Sequence, residues 1–234
     1  MKKDSQIAII GAGIVGLAIA YKLSQQGHLV NVFEKEAELG MHQSGRNSGV
    51  LHCGLYYQPG SLKANLSVNG IREMIAFCEE YQLPYDQCGK VVVATNDNEI
   101  QALDTLAARG EKNGLLGLRY LSNEQLKKRE PFVRAHKALL VPEEGIVDYK
   151  AVMRKMVQKI KENGGDIYYN TPISWIKERD NSTLQIQTKE IVATFDFVIC
   201  CSGLWSDTTF TNLTNEKSPL KIIPFRGEYL KFKS

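Results

Sequence analysis

The sequence predicts an α/β fold built on a parallel sheet, and three observations carry that prediction. An apolar run, Ile7-Ala8-Ile9-Ile10, leads directly into Gly11, Gly13 and Gly16 at G-x-G-x-x-G spacing. A second apolar run, Leu29-Val30-Asn31-Val32-Phe33, ends in the acid Glu34, about 20 residues past the third glycine. A third, Asp196-Phe197-Val198-Ile199-Cys200-Cys201, breaks at Ser202-Gly203, as a buried parallel strand does at its carboxyl edge. Together these read as strand, turn, helix and strand around a dinucleotide, NAD or FAD.

Each residue of the turn has a physical task. Gly11 permits the tight bend, and Gly13, lacking a Cβ, lets a pyrophosphate approach the backbone. Gly16 lets the helix lie close against the strand. The intervening Ala12, Ile14 and Val15 carry the amides of the helix N-terminus, which attract phosphate oxygens. Glu34, followed by Lys35, is placed to accept hydrogen bonds from ribose hydroxyls.

Between these strands the chain reads in order. The first helix runs through Leu17, Ala18, Ala20, Tyr21 and Leu23 and stops at Gly27. His42 to Gly54 is rich in glycine and small polar residues with no helical period, so it reads as an extended loop facing a ligand. Tyr56 to Gly60 turns the chain, and Ser61 caps a helix over 62–81. A strand at 89–95 precedes a helix at 98–112. Ser122 and Gln125 open a short helix as a capping box, and 138–142 and 145–147 are short strands or turns. Asp148 caps a basic helix ending at Gly164-Gly165, a strand follows at 166–170, and alternating segments occupy 173–177, 184–187 and 190–193. Residues 222–232 read as a strand that ends with nothing to pair it, the mark of a chain cut from something longer.

Composition narrows the function. The 234 residues are 43% hydrophobic and 24% charged, suiting one large or two small globular domains. A net charge of +3, with lysines and arginines scattered among acids, gives no basic stripe for nucleic acid. The five cysteines are odd in number and form no C-x-x-C, so they read as reduced thiols. His28, His42, His52 and His136 lack partners at metal-ligand spacing, and no metal is expected. Met1-Lys2-Lys3 and the apolar run imitate a secretion signal, but Asp4 and Gln6 interrupt it. No stretch is long enough to span a bilayer. The expected location is cytoplasmic, with any membrane contact peripheral, at the inner membrane.

These pieces resemble the FAD-dependent oxidoreductases of the D-amino-acid oxidase-like superfamily, and within it the L-2-hydroxyglutarate oxidases and dehydrogenases. The resemblance rests on Gly11, Gly13, Gly16 and Glu34, on Ser44-Gly45-Arg46-Asn47-Ser48-Gly49-Val50 with His52-Cys53-Gly54, and on Tyr56-Tyr57 and Pro59-Gly60-Ser61-Leu62-Lys63-Ala64. Cys201 to Asp207 and Pro224 to Tyr229 complete it. It implies a Rossmann-like FAD-binding domain interrupted by an inserted, incomplete α+β substrate domain. The expected flavin domain takes residues 1–85 and 145–212, and the substrate domain 86–144 and 213–234.

The resemblance also implies roles. Ser44, Arg46, Asn47, Ser48 and Gly49 would wall the pyrophosphate and flavin ring, Arg46 by a bidentate contact, and Ser202 and Gly203 would close the adenosine half. The implied reaction oxidises a 2-hydroxy acid, L-2-hydroxyglutarate, to 2-oxoglutarate, passing electrons to oxygen or a quinone. His52 would take the hydroxyl proton, since an imidazole titrates near neutrality; attachment to or hydrogen bonding with the flavin is its alternative role. Arg226 and Tyr229 would hold the substrate's carboxylates, while Trp205 and Phe225 are expected in the core. Competing expectations are an amino-acid or amine oxidase of the same fold, and a truncated module that holds flavin or nothing. An NAD-dependent dehydrogenase is disfavoured by the Ser44–Gly54 block.

Overall fold

The structure is a computed structural model, and it describes residues 4–179, 183–228 and 230. From the amino terminus, β1 (Gln6–Ile10) runs into α1 (Ile14–Gln25), and β2 (Leu29–Phe33) follows. Next come β3 (Val50–Leu51), α2 (Leu62–Tyr81), β4 (Tyr85–Asp86), β5 (Lys90–Ala94) and α3 (Asp97–Lys112). β6 (Arg119–Leu121), α4 (Asn123–Arg129), β7 (Lys137–Val141) and β8 (Gly145–Val147) lead to α5 (Tyr149–Glu162). The remainder holds β9 (Asp166–Tyr168), β10 (Trp175–Arg179), β11 (Thr183–Gln187), β12 (Val192–Phe195), β13 (Phe197–Cys200) and α6 (Ser206–Thr214).

The chain divides into two compact units, Met1–Arg46 with Met153–Ser234, and Asn47–Val152. These divisions differ from the boundaries read in the sequence. Residues 47–85 group with the insertion because β8 pairs antiparallel with both β3 and β4, placing Val50 opposite Ile146 and Tyr85 opposite Val147.

In the first unit a parallel sheet in the order β13-β1-β2-β9 forms the frame. Strands flank β1 on both sides, and Ile7 to Ile10 are all buried because α1 and the β10-β11-β12 sheet pack against it. Side chains alternate across this sheet. Ala8 and Phe33 face the antiparallel sheet β10-β11-β12, where they cluster with Ile186 and Phe195. Phe33 stacks on Tyr168 at 5.1 Å and meets Phe195 edge-on at 5.9 Å; burying such a ring stabilises by about 1.5–3 kcal/mol. Helix α1 buries Leu17, Ala20, Tyr21 and Leu23. Of the strand expected over 222–232, the described residues 222–228 form none: no strand among the described residues pairs with them, and Ile223 and Phe225 are exposed. Phe225 is thus not a core residue.

In the second unit β5-β7-β6 is antiparallel, with Val91 opposite Leu140 and Tyr120 opposite Leu139. Helix α3 buries Leu103 and Ala107. The caps read from sequence are in place. Ser61 Oγ accepts from the Ala64 amide at 3.2 Å, and Ser122 and Gln125 form a reciprocal capping box. Asp148 Oδ1 accepts from the Lys150 and Ala151 amides at the start of α5. Among the described residues, no helix is long and apolar enough to cross a membrane, and no group of three or more His, Cys, Asp or Glu is arranged to hold a metal.

Candidate dinucleotide site

A cleft of about 600 Å³ opens in the first unit at the carboxyl edge of the parallel sheet. Its apolar floor includes Ile10, Val15, Ile19, Phe33, Ile173 and Ile199, and its polar rim includes Gly11, Gly13, Glu34, Lys35, Ser44, Ser202 and Gly203. An open parallel sheet binds ligands at this edge because helix N-termini and loops converge there.

The glycine turn is shaped by contacts that leave no room for side chains at Gly11 and Gly16. A Cβ on Gly16 would lie 2.0 Å from the Gly11 carbonyl oxygen, and one on Gly11 would lie 2.5 Å from that of Cys201. Gly11 also has φ +104°, where L side chains are strained. At Gly13 the nearest atom to a built Cβ is Ser44 Oγ at 3.1 Å. That hydroxyl accepts from the Ile14 amide at 3.0 Å, which ties the loop after β2 to the start of α1.

Glu34 is held by its own backbone. Its amide donates to Tyr168 O and its carbonyl accepts from the Thr171 amide, each at 2.8 Å. The side chain is buried, and Oε2 accepts from the Ala12 amide at 2.7 Å while Oε1 accepts from the Glu36 amide at 3.0 Å. A buried carboxylate on two backbone amides is an acceptor fixed in place, facing the cleft. Ser202 Oγ is buried, lines the same cleft and has no hydrogen-bond partner among the described residues. A buried hydroxyl left unpaired costs about 1–3 kcal/mol, and a ligand hydroxyl or phosphate oxygen would recover that.

Two wall residues escaped the sequence reading. Trp205, expected in the core, lines the cleft. Lys35 Nζ lies 3.4 Å from its ring centroid, and the His42 ring meets it edge-on at 4.5 Å. His42 Nε2 in turn pairs with Glu36 Oε1 at 2.8 Å, and this contact holds the Glu36 carboxyl below the usual carboxylate range. His42 was visible as a histidine opening the glycine-rich loop, and Trp205 as an aromatic two residues past a strand-ending Ser-Gly. Neither position shows by periodicity which way its side chain faces.

Other predicted residues are not among those lining this cleft. Arg46 closes the short 3-10 turn Gln43–Gly45 through its amide, is exposed, and does not line the cleft. Asn47, Ser48 and Gly49 belong to the second unit. There Asn47 Oδ1 accepts from the Gly49 amide at 2.7 Å, and Gly49 O accepts from Val147 at 2.8 Å. Arg226 is exposed and pairs with Glu228 at 3.5 Å, and Tyr229 lies outside the described residues.

His52 also belongs to the second unit, beside a cluster that sequence reading missed. Glu144 is 2% exposed. Its Oε2 lies 2.8 Å from Lys90 Nζ and 3.8 Å from His52 Nδ1, and Cys53 Sγ donates to Oε1 at 3.5 Å. Burial, with Glu144 adding its charge, pushes the Cys53 thiol up to about 12. Glu144 sits in the polar run Pro142-Glu143-Glu144-Gly145, where sequence alone reads a solvated turn.

The comparisons agree with the cleft. Residues 6–234 match the family described as FAD-dependent oxidoreductase. An L-2-hydroxyglutarate dehydrogenase of Indibacter alkaliphilus is 42% identical over 98% of this chain and 58% of its own length. The mitochondrial L-2-hydroxyglutarate dehydrogenase of Homo sapiens is 38% identical over 97% of this chain and 52% of its own. The chain therefore spans a little over half the length of these relatives. An L-α-glycerophosphate oxidase of Mycoplasma pneumoniae, solved with FAD bound, superposes with a TM-score of 0.77 at 25% identity, over 92% of this chain and 58% of that one. Glycine oxidase from Geobacillus kaustophilus shares the fold, with a TM-score of 0.77 at 22% identity over 90% and 58% of the two chains. With the family matched along almost the whole sequence and its cofactor's cradle present in the fold, the chain belongs to the DAO family of FAD-dependent oxidoreductases.

Proposed function

We propose that the protein containing this chain oxidises L-2-hydroxyglutarate to 2-oxoglutarate with FAD, and that this chain supplies the cradle for the cofactor. Identity of about 40% along the whole chain to proteins named for that reaction carries the choice of substrate. The cleft supports the cofactor. Its turn has no room for a Cβ at Gly11 or Gly16, its carboxylate is fixed for a ribose, and the Ser202 hydroxyl lacks a partner among the described residues. Gly11 to Gly16 and Ser44 would hold the pyrophosphate, Glu34 the ribose, and Lys35 with Trp205 would border the same half.

When bound, FAD supplies the two-electron acceptor for the hydrogen on C2 of the substrate. The chain's own residues do the rest. His52 accepts the proton of the 2-hydroxyl, so loss of the C2 hydrogen with its electron pair yields the ketone rather than a high-energy protonated carbonyl. Arg226 and Tyr229 remain our candidates for the two carboxylates, for which guanidinium and phenol are suitable donors. Electrons pass on to oxygen or a quinone, and any membrane contact is peripheral.

The full-length protein tests this. It should purify yellow, bleach anaerobically on addition of L-2-hydroxyglutarate, and lose about 100-fold or more of its reduction rate as His52→Ala. A colourless protein that takes up no flavin would overturn the cofactor reading. Bleaching by glycine or proline instead would transfer it to amine oxidation.

A further inference from the structure

A nearly enclosed carboxylate in a polar turn requires a physical reason. Glu144 is locked by its backbone: its carbonyl accepts from the Gly89 amide at 2.8 Å, and a Cβ on the next residue, Gly145, would lie 2.5 Å from Asp86 O. The side chain therefore projects from a fixed point. Burying a carboxylate costs several kcal/mol unless its oxygens are paired. Oε1 has the Cys53 thiol, a weak donor. Lys90 lies 2.8 Å from Oε2 but off the hydrogen-bonding direction, so Oε2 is balanced in charge and still has no directed donor. The remaining group facing it is the imidazole of His52, with Nδ1 at 3.8 Å. Among the described residues, the charged or titratable side chains paired with Glu144 are these three: His52, Cys53 and Lys90.

We propose that Glu144 is a positioning residue that holds His52 in the Nδ1–H tautomer and so leaves Nε2 bare as the proton acceptor. The His52 side chain is 62% exposed, so the ring is free to turn Nδ1–H toward Oε2. The free nitrogen of a neutral imidazole is set by the hydrogen bond the other makes, and the buried acceptor is on the Nδ1 side. With the tautomer fixed, the substrate's O–H bond breaks and its proton forms a new N–H bond at Nε2. FAD, when bound, would supply the acceptor for the C2 hydrogen and its electron pair. The imidazolium that results faces a carboxylate already in place. This inference rests on His52 being the base of the proposed reaction, but its structural half is measurable without turnover.

Nitrogen NMR of the histidine ring in the full-length wild-type protein should show Nδ1 protonated and Nε2 unprotonated in the neutral ring. Finding Nε2–H in the wild type overturns the proposal whatever the activity. Glu144→Met should return the ring to the Nε2–H form that neutral imidazole prefers in water. It should also slow flavin reduction about tenfold or more with KM little changed. Combined with His52→Ala it should cost nothing further, since the two act as one unit. Additive losses, or an unchanged tautomer, would mean Glu144 only supports the fold. Should Glu144→Met fail to fold because Lys90 is left unpaired, Lys90→Met/Glu144→Met removes both charges and carries the same tautomer readout. If His52→Ala leaves turnover intact while Nδ1–H is found, the base assignment fails and the Glu144 contact stands.

Discussion

At the residue scale, single atoms decide between alternatives that the sequence leaves open. Gly16 is required because a methyl group there would occupy the Gly11 carbonyl, and Glu34 is useful because two amides hold it buried at the cleft. Cys53 shows how the same rules act on a thiol. Burial and the nearby Glu144 carboxylate raise its thiol from 9.0 to about 12. The folded chain then keeps a proton that the unfolded chain releases above about pH 9, so stability falls as pH rises from there towards 12. Urea midpoints measured between pH 8.5 and 11 should decline, and Cys53→Ser should flatten that decline. At pH 8 the exposed Cys88 should alkylate readily while buried Cys53 and Cys78 stay protected until unfolding.

At the scale of elements, capping chemistry and pairing set the boundaries. Ser61, Ser122 and Asp148 each sit where their side chains satisfy amides that a helix start leaves open. Ser61→Ala should cost about 1 kcal/mol, read as a melting temperature lower by about 2–4 °C for a chain of this size, with the flavin site untouched. The helices and the parallel strands were legible because each announces itself locally, by a cap, a period or an apolar run. The short strands Val50–Leu51 and Tyr85–Asp86 were not, since two-residue pairings with β8 leave no period to read. Residues 222–228 failed in the opposite sense: the alternation suits a strand, but strand geometry needs a partner, and none is present among the described residues.

At the scale of the whole molecule, cofactor binding and folding are one equilibrium. A ligand that binds only the folded state stabilises it by about 2.7 kcal/mol at a hundred times its Kd, so FAD should raise the melting temperature in a concentration-dependent way. Glu34→Gln replaces a charged acceptor worth about 1.5–3 kcal/mol with a neutral one. The FAD concentration needed for the same rise should increase about 10- to 100-fold, measured by thermal melts across a flavin titration. An unchanged titration would remove Glu34 from the site.

The sequence by itself determined the β1-α1-β2 frame, the glycine turn and the acid that faces it, because each is a local pattern read within a few turns of chain. It also determined the family, through residue types spread along nearly the whole length. Only the tertiary structure decided that Trp205 and His42 wall the cleft, that Ser202 is left without a partner among the described residues, and that Glu144 is buried against His52 and Lys90. Those facts depend on which distant side chains share a space, and burial of a polar group depends on the atoms that surround it rather than on the residues beside it in the chain.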